Sequence, residues 1–425
     1  MKRTILSTFT ICILAAMTGC NSHFSSYSGG WSDADLKAVT NVVQTARIPA
    51  DLKGLTVDNR FGAIRITGTD NGNIAWTWKL TVRARSDSAA QQIASGASCK
   101  AEVEDDHLSL VVSLPGSTEA HNLQSDLDIT APKSIVVRAR NRFGGITIAD
   151  LAGDVEARNE NGRLHILNIE GSVHARTSFD ALSVSNTGPA TLENQNGEIR
   201  AAVVAGPLEA TTSFAPLVVR DIRGAASLAN QNGKIMAVAI HGLLDAKTSF
   251  NSLVARDIGG LVRLRDQNGS INITQAKGDA DIGTSFDTLS AEGIQGNAIL
   301  MNQNGDVKAS GITGSVTAST SFAVMEVTGS GPKFVCHNQN GAIRLHATST
   351  GLTNIEANTS FDSLEVRLPA GLKPAIQART AFGDIESEFP VLMKPRGEDP
   401  FADVAPDTPR ITLQNQNGNI RIVRD

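Results

Sequence analysis

The residues of this chain that could do chemistry are serines, carboxylates and histidines set at regular intervals. Ser178, Ser213, Ser249, Ser285, Ser321 and Ser360 each stand between a threonine and a phenylalanine. A serine nucleophile needs one base and one oxyanion site, so it occurs once. A serine in every second repeat is architecture, and its hydroxyl is expected to satisfy backbone groups at a corner. Asp180, Asp287 and Asp362 share one place in the repeat, while Asp221 and Asp257 share another, with Glu292 two repeats further on. Paired carboxylates on one face would make a polysaccharide-cleaving enzyme, but these lie about 10 Å or more apart by strand spacing, too sparse for a retaining pair. His165, His174, His241, His337 and His346 fall at five different repeat positions and do not converge on a metal. The Gly-Gly-x-Gly-x-Asp calcium repeat is missing. The sequence therefore offers no catalytic, cofactor-binding or metal-ligating residues.

One cysteine does stand in a chemical context. Lys2 and Arg3 precede an apolar run from Ile5 to Met17, which is a basic region and a hydrophobic region too short to span a bilayer. The run ends in Met17-Thr18-Gly19-Cys20, which resembles a bacterial lipobox. The resemblance implies cleavage before Cys20 and acylation of that cysteine, which would make the lipid bilayer a partner of the chain. An ordinary secretory signal with an incidental cysteine is the alternative. Asn21, rather than an aspartate, follows the cysteine. In a Gram-negative host this looks like release to the outer membrane, with the chain facing either the periplasm or the surface.

Removal of Lys2 and Arg3 with the leader takes the formal charge from -5 to -7. A mildly acidic surface without an arginine-rich segment argues against nucleic acid as a partner. Of the cysteines beyond the leader only Cys99 and Cys336 could pair, and they form neither a disulfide framework nor a clustered metal site. One tyrosine, three tryptophans and many small residues describe narrow layers rather than a thick core.

The elements that carry these residues follow from a repeat. From Asn141 the chain falls into rows of 18 residues, opening at Asn141, Asn159, Thr177, Asn194, Thr212, Asn230 and onward to Asn338, with one row short by a residue. From Thr177 the openings alternate between Thr-Ser-Phe, as in Thr212-Ser213-Phe214, and an Asn-Gly form, as in Asn194-Gln195-Asn196-Gly197. Positions 6 and 8 are apolar in row after row, as in Leu217 with Val219, Ile235 with Ala237, and Leu253 with Ala255. Positions 15 and 17 repeat the pattern, as in Leu244 with Ala246 and Val262 with Leu264. A spacing of two is strand periodicity, so each row holds two short strands with one inward face. Glycine at position 13, such as Gly242 or Gly260, marks a corner that needs either positive φ or close backbone approach. The Asn-Gly pairs at positions 3 and 4 mark the other corner. Rows of identical pattern align only if stacked in parallel, about 4.8 Å apart. The expected fold is all-β: a parallel β-solenoid, β-helix-like, of about 18 residues per coil with a mixed N-terminal cap.

The expected organisation is a signal peptide over 1–19, a tether and linker over 20–48, a cap and first coil over 49–140, the regular solenoid over 141–379, and a C-terminal coil with a Pro-rich excursion over 380–425. Within these, a short segment from Trp31 to Gln44 reads as helical, as does Ser86 to Ala94, with strands near Ala101–Leu114 and Leu127–Val137. The last rows lengthen, and Asn415-Gln416-Asn417-Gly418 is expected to start a last half coil.

Segments such as Gly171-Ser172-Val173-His174-Ala175-Arg176-Thr177-Ser178-Phe179 and Asn338-Gln339-Asn340-Gly341-Ala342-Ile343-Arg344-Leu345 resemble the bacterial β-strand-repeat family labelled "putative adhesin", a domain of unknown function. The resemblance covers roughly residues 50–425. It implies surface exposure and contact with other molecules, and it supplies no catalytic motif.

The leading expectation is a non-enzymatic, membrane-tethered structural or adhesin-like module of the cell envelope, with an envelope protein or a glycan as partner. A periplasmic protein-binding scaffold is the second, and a polysaccharide-active solenoid enzyme the third. The repeated phenylalanine is expected to pack at its corner over the asparagine of adjacent coils, with stacking on a glycan as the alternative. A contact stripe is expected where Val218, Met236 and Val254 share position 7, with Leu243 and Leu261 in a second apolar column at position 14. The stripe is open to three readings: cover by the excursion containing Phe389, Val391, Leu392, Met393 and Phe401, cover by a partner or second copy, or simple β-branched filling. The oligomeric state is not fixed by the sequence.

Overall fold

The computed structural model describes residues 10–13, 38–49, 52–115, 122–392 and 399–425, so Cys20 and most of the leader lie outside the described residues. The chain divides into two compact units, Met1–Gly206 and Pro207–Asp425. Each is a parallel β-solenoid of 18-residue coils, and the first also carries a mixed cap.

In the first unit Ile146, Leu164 and Leu182 stand side by side on successive first strands. Val155 and Val173 do the same on the second strands. In the second unit Leu217, Ile235, Leu253, Ile271 and Leu289 form the corresponding column. Every one of these side chains is buried. Burying a Leu, Ile or Val in this way stabilises the fold by about 1.5–3 kcal/mol per side chain.

One coil shows how the sequence turns. In the strand Ile235–Ile240 the side chains of Ile235, Ala237 and Ile240 point inward. The period of two breaks at Ala239, whose φ is +56°. One left-handed residue reverses the alternation, so position 11 joins positions 6 and 8 in the core. The same residue is left-handed in Asp150, Asn168, Asn186 and Val203 of the first unit, and in Asp221, Asp257, Gln275, Gly293 and Gly311 of the second. Aspartate, asparagine and glycine tolerate this region, whereas Val203 and Ala239 carry a Cβ penalty without a side-chain hydrogen bond to offset it. Glycine at position 13 is therefore not the left-handed residue. A Cβ on Gly242 would stand 2.6 Å from the carbonyl oxygen of Gly224 and 2.7 Å from its carbon. The sequence left two reasons for that glycine, and close approach is the one that holds.

The opening residue of each row forms a buried polar ladder. Asn230 donates from Nδ2 to the carbonyl of Ala215 at 2.9 Å and accepts from Gly233 N–H at 2.9 Å. In the next coil Thr248 donates from Oγ1 to the carbonyl of Gly233 at 3.1 Å. Thr284 and Thr320 bond Gly269 and Gly305 in the same way, and Asn302 and Asn338 bond Asp287 and Ala323. The alternation of Thr and Asn therefore satisfies the corner carbonyls that the tight turn leaves inside. The hydroxyl that serves the corner is the threonine's, while the neighbouring serine supplies its carbonyl, as Ser213 does to Asn232 Nδ2 at 3.3 Å.

The cap corrects one expectation. Residues 38–49 are a strand, not a helix: Ala38–Pro49 pairs antiparallel with Asn73–Ala84. Its Val39, Val42 and Val43 favour extended backbone, and Ala46 and Ile48 alternate into the core. Asn73–Ala84 pairs antiparallel with Asn122–Pro132, which runs parallel to Ile64–Thr69 and so hands the sheet over to the first coil. The helix Asp87–Gly96 starts at Ser86, whose Oγ accepts from Ala89 N–H at 3.2 Å. Trp76 and Trp78 fill the cap core, with Trp78 Nε1 donating to Ser125 Oγ at 2.8 Å.

The far end corrects another. The last strands in sequence are not the last in space. Arg410–Asn415 lies between Asn354–Thr359 and Ala375–Arg379, and Ile420–Arg424 lies between Leu364–Leu368 and Ile385–Ser387. The C-terminal coil is thus slotted in ahead of the coil that opens at Thr380, and the Pro-rich excursion is the connection that permits it.

Candidate functional site

The side chains that stand out from the second unit are phenylalanines. Phe214, Phe250, Phe286, Phe322, Phe361 and Phe382 are 61, 63, 60, 63, 61 and 78% exposed. The expected packing over neighbouring asparagines does not bury them. Each occupies position 3 of its row, at the tight corner above the polar ladder. Backbone bonds fix that corner coil by coil: Asn232 N–H donates to Ser213 at 2.8 Å, Ser249 N–H to Gln231 at 3.1 Å, and Asn268 N–H to Ser249 at 3.0 Å. The rings therefore stand on a rigid edge, one in every second coil, about 10 Å apart.

The coil between two rings presents an exposed glutamine, such as Gln231, Gln267, Gln303 or Gln339. Beside it a half-buried asparagine is committed to the scaffold, as Asn268 Nδ2 donates to Ser249 carbonyl at 3.0 Å and Asn304 Nδ2 to Ser285 carbonyl at 3.1 Å. The alternation survives the out-of-order C-terminus. Gln416 and Asn417 stand between Phe361 and Phe382, with Asn417 N–H donating to Ser360 at 2.9 Å and Phe382 N–H to Gln416 at 3.0 Å. The first unit has Phe179 at 62% exposure on the same row position. There Phe61 and Phe143 stack with centroids 5.3 Å apart.

The contact stripe expected from the sequence is placed as columns. Met236 pairs with Val218 on one side and Val254 on the other, on the outward face of one sheet. All three are half-buried, as is Leu243, while Leu261 is 36% exposed, so this stripe offers less apolar surface than the phenylalanine row. The described part of the excursion packs elsewhere. Leu392 N–H donates to Ile376 carbonyl at 2.8 Å, Arg424 lies 4.7 Å over the Phe389 ring, and Arg410 lies 5.8 Å over Phe401. These contacts close the terminal coils, six or more coils from the row of Val254, because the out-of-order connection must be sealed where it crosses.

The titratable groups remain dispersed. Asp221 and Asp257 hold left-handed corner positions, and His241 Nε2 lies 3.4 Å from Asp221 Oδ1. His346 Nε2 lies 2.6 Å from Asp425 Oδ2. A groove of about 420 Å³ runs past Ala239, His241, Asp257 and Gln275 in the second unit. One of about 720 Å³ runs past Asp70, Lys133, Asp150 and Asn168 in the first. Neither is lined by serine or cysteine. In the larger groove the hydrogen bond and charge of Asp70 raise the Lys133 ammonium above its usual range. Cys99 and Cys336 are free and buried, and burial pushes each thiol up to about 12, which leaves them unreactive. Among the described residues no group of three or more His, Cys, Asp or Glu is placed to hold a metal, and no helix is long and apolar enough to cross a membrane.

No protein-family model matches the chain, and no curated protein matches it. Solved structures that it is similar to include a "putative cell adhesion protein" from Clostridium sporogenes, 10% identical over 90% of this chain and 99% of that one, with a TM-score of 0.17. A "putative adhesin" from Parabacteroides merdae is 14% identical over 70% of this chain and 95% of the other, with a TM-score of 0.23. One from Bacteroides fragilis is 12% identical over 90% and 97%, with a TM-score of 0.16. Likeness at this level transfers neither partner nor activity.

Proposed function

We propose that this chain is a non-enzymatic, membrane-tethered module of the cell envelope that works in an adhesin-like way, recognising its partner along one edge of the solenoid. The observation that carries this reading is the row of six phenylalanines, each at least 60% exposed and held at a constant two-coil interval. Exposed rings contribute nothing to a core, and a contiguous row of them is the surface feature that usually meets something else. The tether is the acylated Cys20, which places the chain on the outer membrane of a Gram-negative host.

The test is retention of cell-envelope material by the mature chain and by a variant carrying Phe250→Ala, Phe286→Ala and Phe322→Ala. Because the rings are exposed, each substitution changes stability by about 0.5 kcal/mol or less. The wild type retains envelope material and the variant does not; equal retention by both overturns the reading. Protease shaving of intact cells then distinguishes a surface-facing module, which is degraded, from a periplasmic scaffold, which is protected until the outer membrane is opened. Cys20→Ser abolishes labelling by a fatty acid analogue if Cys20 is the anchor, and persistent labelling refutes it.

A further inference from the structure

We infer that the phenylalanine row binds a neutral, extended β-1,4-linked polysaccharide, one ring under each disaccharide. The inference rests on the recognition role proposed above and adds the chemical class of the ligand. It is carried by a match of period and by the chemistry between the rings.

Two coils of the solenoid rise about 10 Å. An extended β-1,4-linked pyranose chain is a two-fold ribbon that turns the same sugar face toward one side once per disaccharide, over about the same length as two strand spacings. Rings at every second coil therefore meet equivalent sugars without the chain having to bend or twist. The axial C–H groups of a pyranose lie on its face and suit the negative face of an aromatic ring. Phe214 through Phe382 span ten coil steps, about 48 Å, so the row can follow a polymer but far exceeds a mono- or disaccharide.

The intervening coils supply what a sugar needs between its stacked faces. Each offers an exposed glutamine amide, with one acceptor and two donors, at the level of the sugar that faces away from the rings. Gln231, Gln267, Gln303 and Gln339 repeat at the same interval as the phenylalanines and half a period out of step with them. This polar interleaving disfavours a second copy of the chain. A partner's ring inserted between two phenylalanines would desolvate a glutamine amide without pairing it, at a cost. The charge along the edge selects among polysaccharides. The residue after each phenylalanine is Ala215, Asn251, Asp287, Ala323, Asp362 or Gly383, with no cation among the six. At these positions uronate or sulfate groups would meet neutral or negative side chains. The cations that flank the edge, such as Lys234, Lys247 and Arg265, do not recur in step with the rings, and Arg265 is paired with Asp281 at 2.6 Å, so the ligand is a neutral glucan or N-acetylglucosaminan.

The experiment measures binding of the full mature chain to insoluble cellulose and chitin, to soluble oligomers of both in a length series, and to a β-1,3-glucan and an anionic polyuronate as controls. Binding to a β-1,4-linked polymer is expected, with affinity rising as oligomers lengthen past each further ring and little binding to the two controls. Each Phe→Ala substitution lowers affinity about two- to tenfold, in line with the contribution of a single aromatic contact. Phe286→Trp retains binding, which a merely structural effect of Phe286→Ala would not predict. If the wild type binds neither polymer while the triple phenylalanine variant still loses envelope material, the edge recognises another class of partner and this inference fails alone. Preference for the controls, or binding independent of oligomer length, also overturns it. Phenylalanine-dependent self-association in sedimentation, without glycan binding, replaces it with a solenoid dimer. If wild type and triple variant retain envelope material equally, the recognition reading itself falls.

Discussion

Asp266 accepts the backbone N–H of Gly269 at 3.0 Å through Oδ1, as Asn230 accepts that of Gly233 at 2.9 Å, but its Oδ2 is buried with no hydrogen-bond partner. In the asparagine coils that second position is an amide nitrogen donating to the corner carbonyl of the coil before. A carboxylate there has nothing to donate, and the Asn251 carbonyl oxygen and Asp266 Oδ2 both lie beside Gly269 with no hydrogen bond from that carboxylate oxygen. Burial is the largest influence on Asp266 and raises it above the usual carboxylate range, against the backbone N–H groups of Gly269, Asn268 and Gln267 that pull the other way.

The consequence is a pH-dependent flaw that Asp266→Asn removes. A carboxyl group raised in the folded state stabilises the fold when protonated. That contribution is complete below the ordinary carboxylate pKa and is lost as pH rises through the raised value. Asp266→Asn should therefore matter little in acid and should stabilise by about 1–3 kcal/mol at neutral pH, the cost of a buried polar group left unpaired. Thermal melts of both proteins across the acidic range check this, and a gap that narrows as pH rises contradicts it.

Val203 concerns the left-handed corner. Its φ is +55° and it is 40% exposed, so a β-branched side chain sits in a region that asparagine tolerates far better. In the coils before it Asn168 Nδ2 donates to Asp150 Oδ1 at 2.8 Å and Asn186 Nδ2 to Asn168 Oδ1 at 2.9 Å. Val203→Asn would extend this ladder and relieve the backbone, and should raise stability by about 1–2 kcal/mol. A loss of stability in denaturant titration would show that valine's packing outweighs its strain.

The inward columns were legible in the sequence because a period of two survives any mild irregularity, and Leu253 and Ile271 sit where that period puts them. The left-handed corner was harder to see. Asp221 and Asp257 belong to it, but Val203 and Ala239 interrupt the column, and carboxylates at a fixed interval also suggest chemistry. The exposure of Phe250 was hidden because an apolar residue at a corner reads equally as packing. The out-of-order C-terminus did leave a trace. Thr359-Ser360-Phe361 is followed by Thr380-Ala381-Phe382 with no Asn-Gly row between, and the missing row is Asn415-Gln416-Asn417-Gly418, which strand pairing places in the gap.

Corner and core can be separated by three substitutions in adjacent rows. Gly242→Val drives a branched side chain into the backbone of Gly224 and Ala225, neither of which can yield alone. Leu253→Ala empties a fully buried site and should cost about 2–5 kcal/mol. Ser252→Val changes a half-buried outward residue and should cost least. Equal melting temperatures for the three would contradict the assignment of columns.

Met236→Lys tests what lies over the outward stripe. Met236 is half-buried between Val218 and Val254, and a lysine there can lay its methylenes along the same surface and keep its ammonium in water. The described excursion residues are held at the terminal coils by Ile376, Arg410 and Arg424. The substitution should then change stability by about 0.5 kcal/mol or less and leave proteolysis of residues 388–410 as it was. Faster cleavage of that segment in the variant would mean that the excursion reaches the stripe after all. Unchanged cleavage with weaker retention of a protein partner would make the stripe a second contact surface, separable from the phenylalanine row because Phe250→Ala and Met236→Lys would then abolish different interactions.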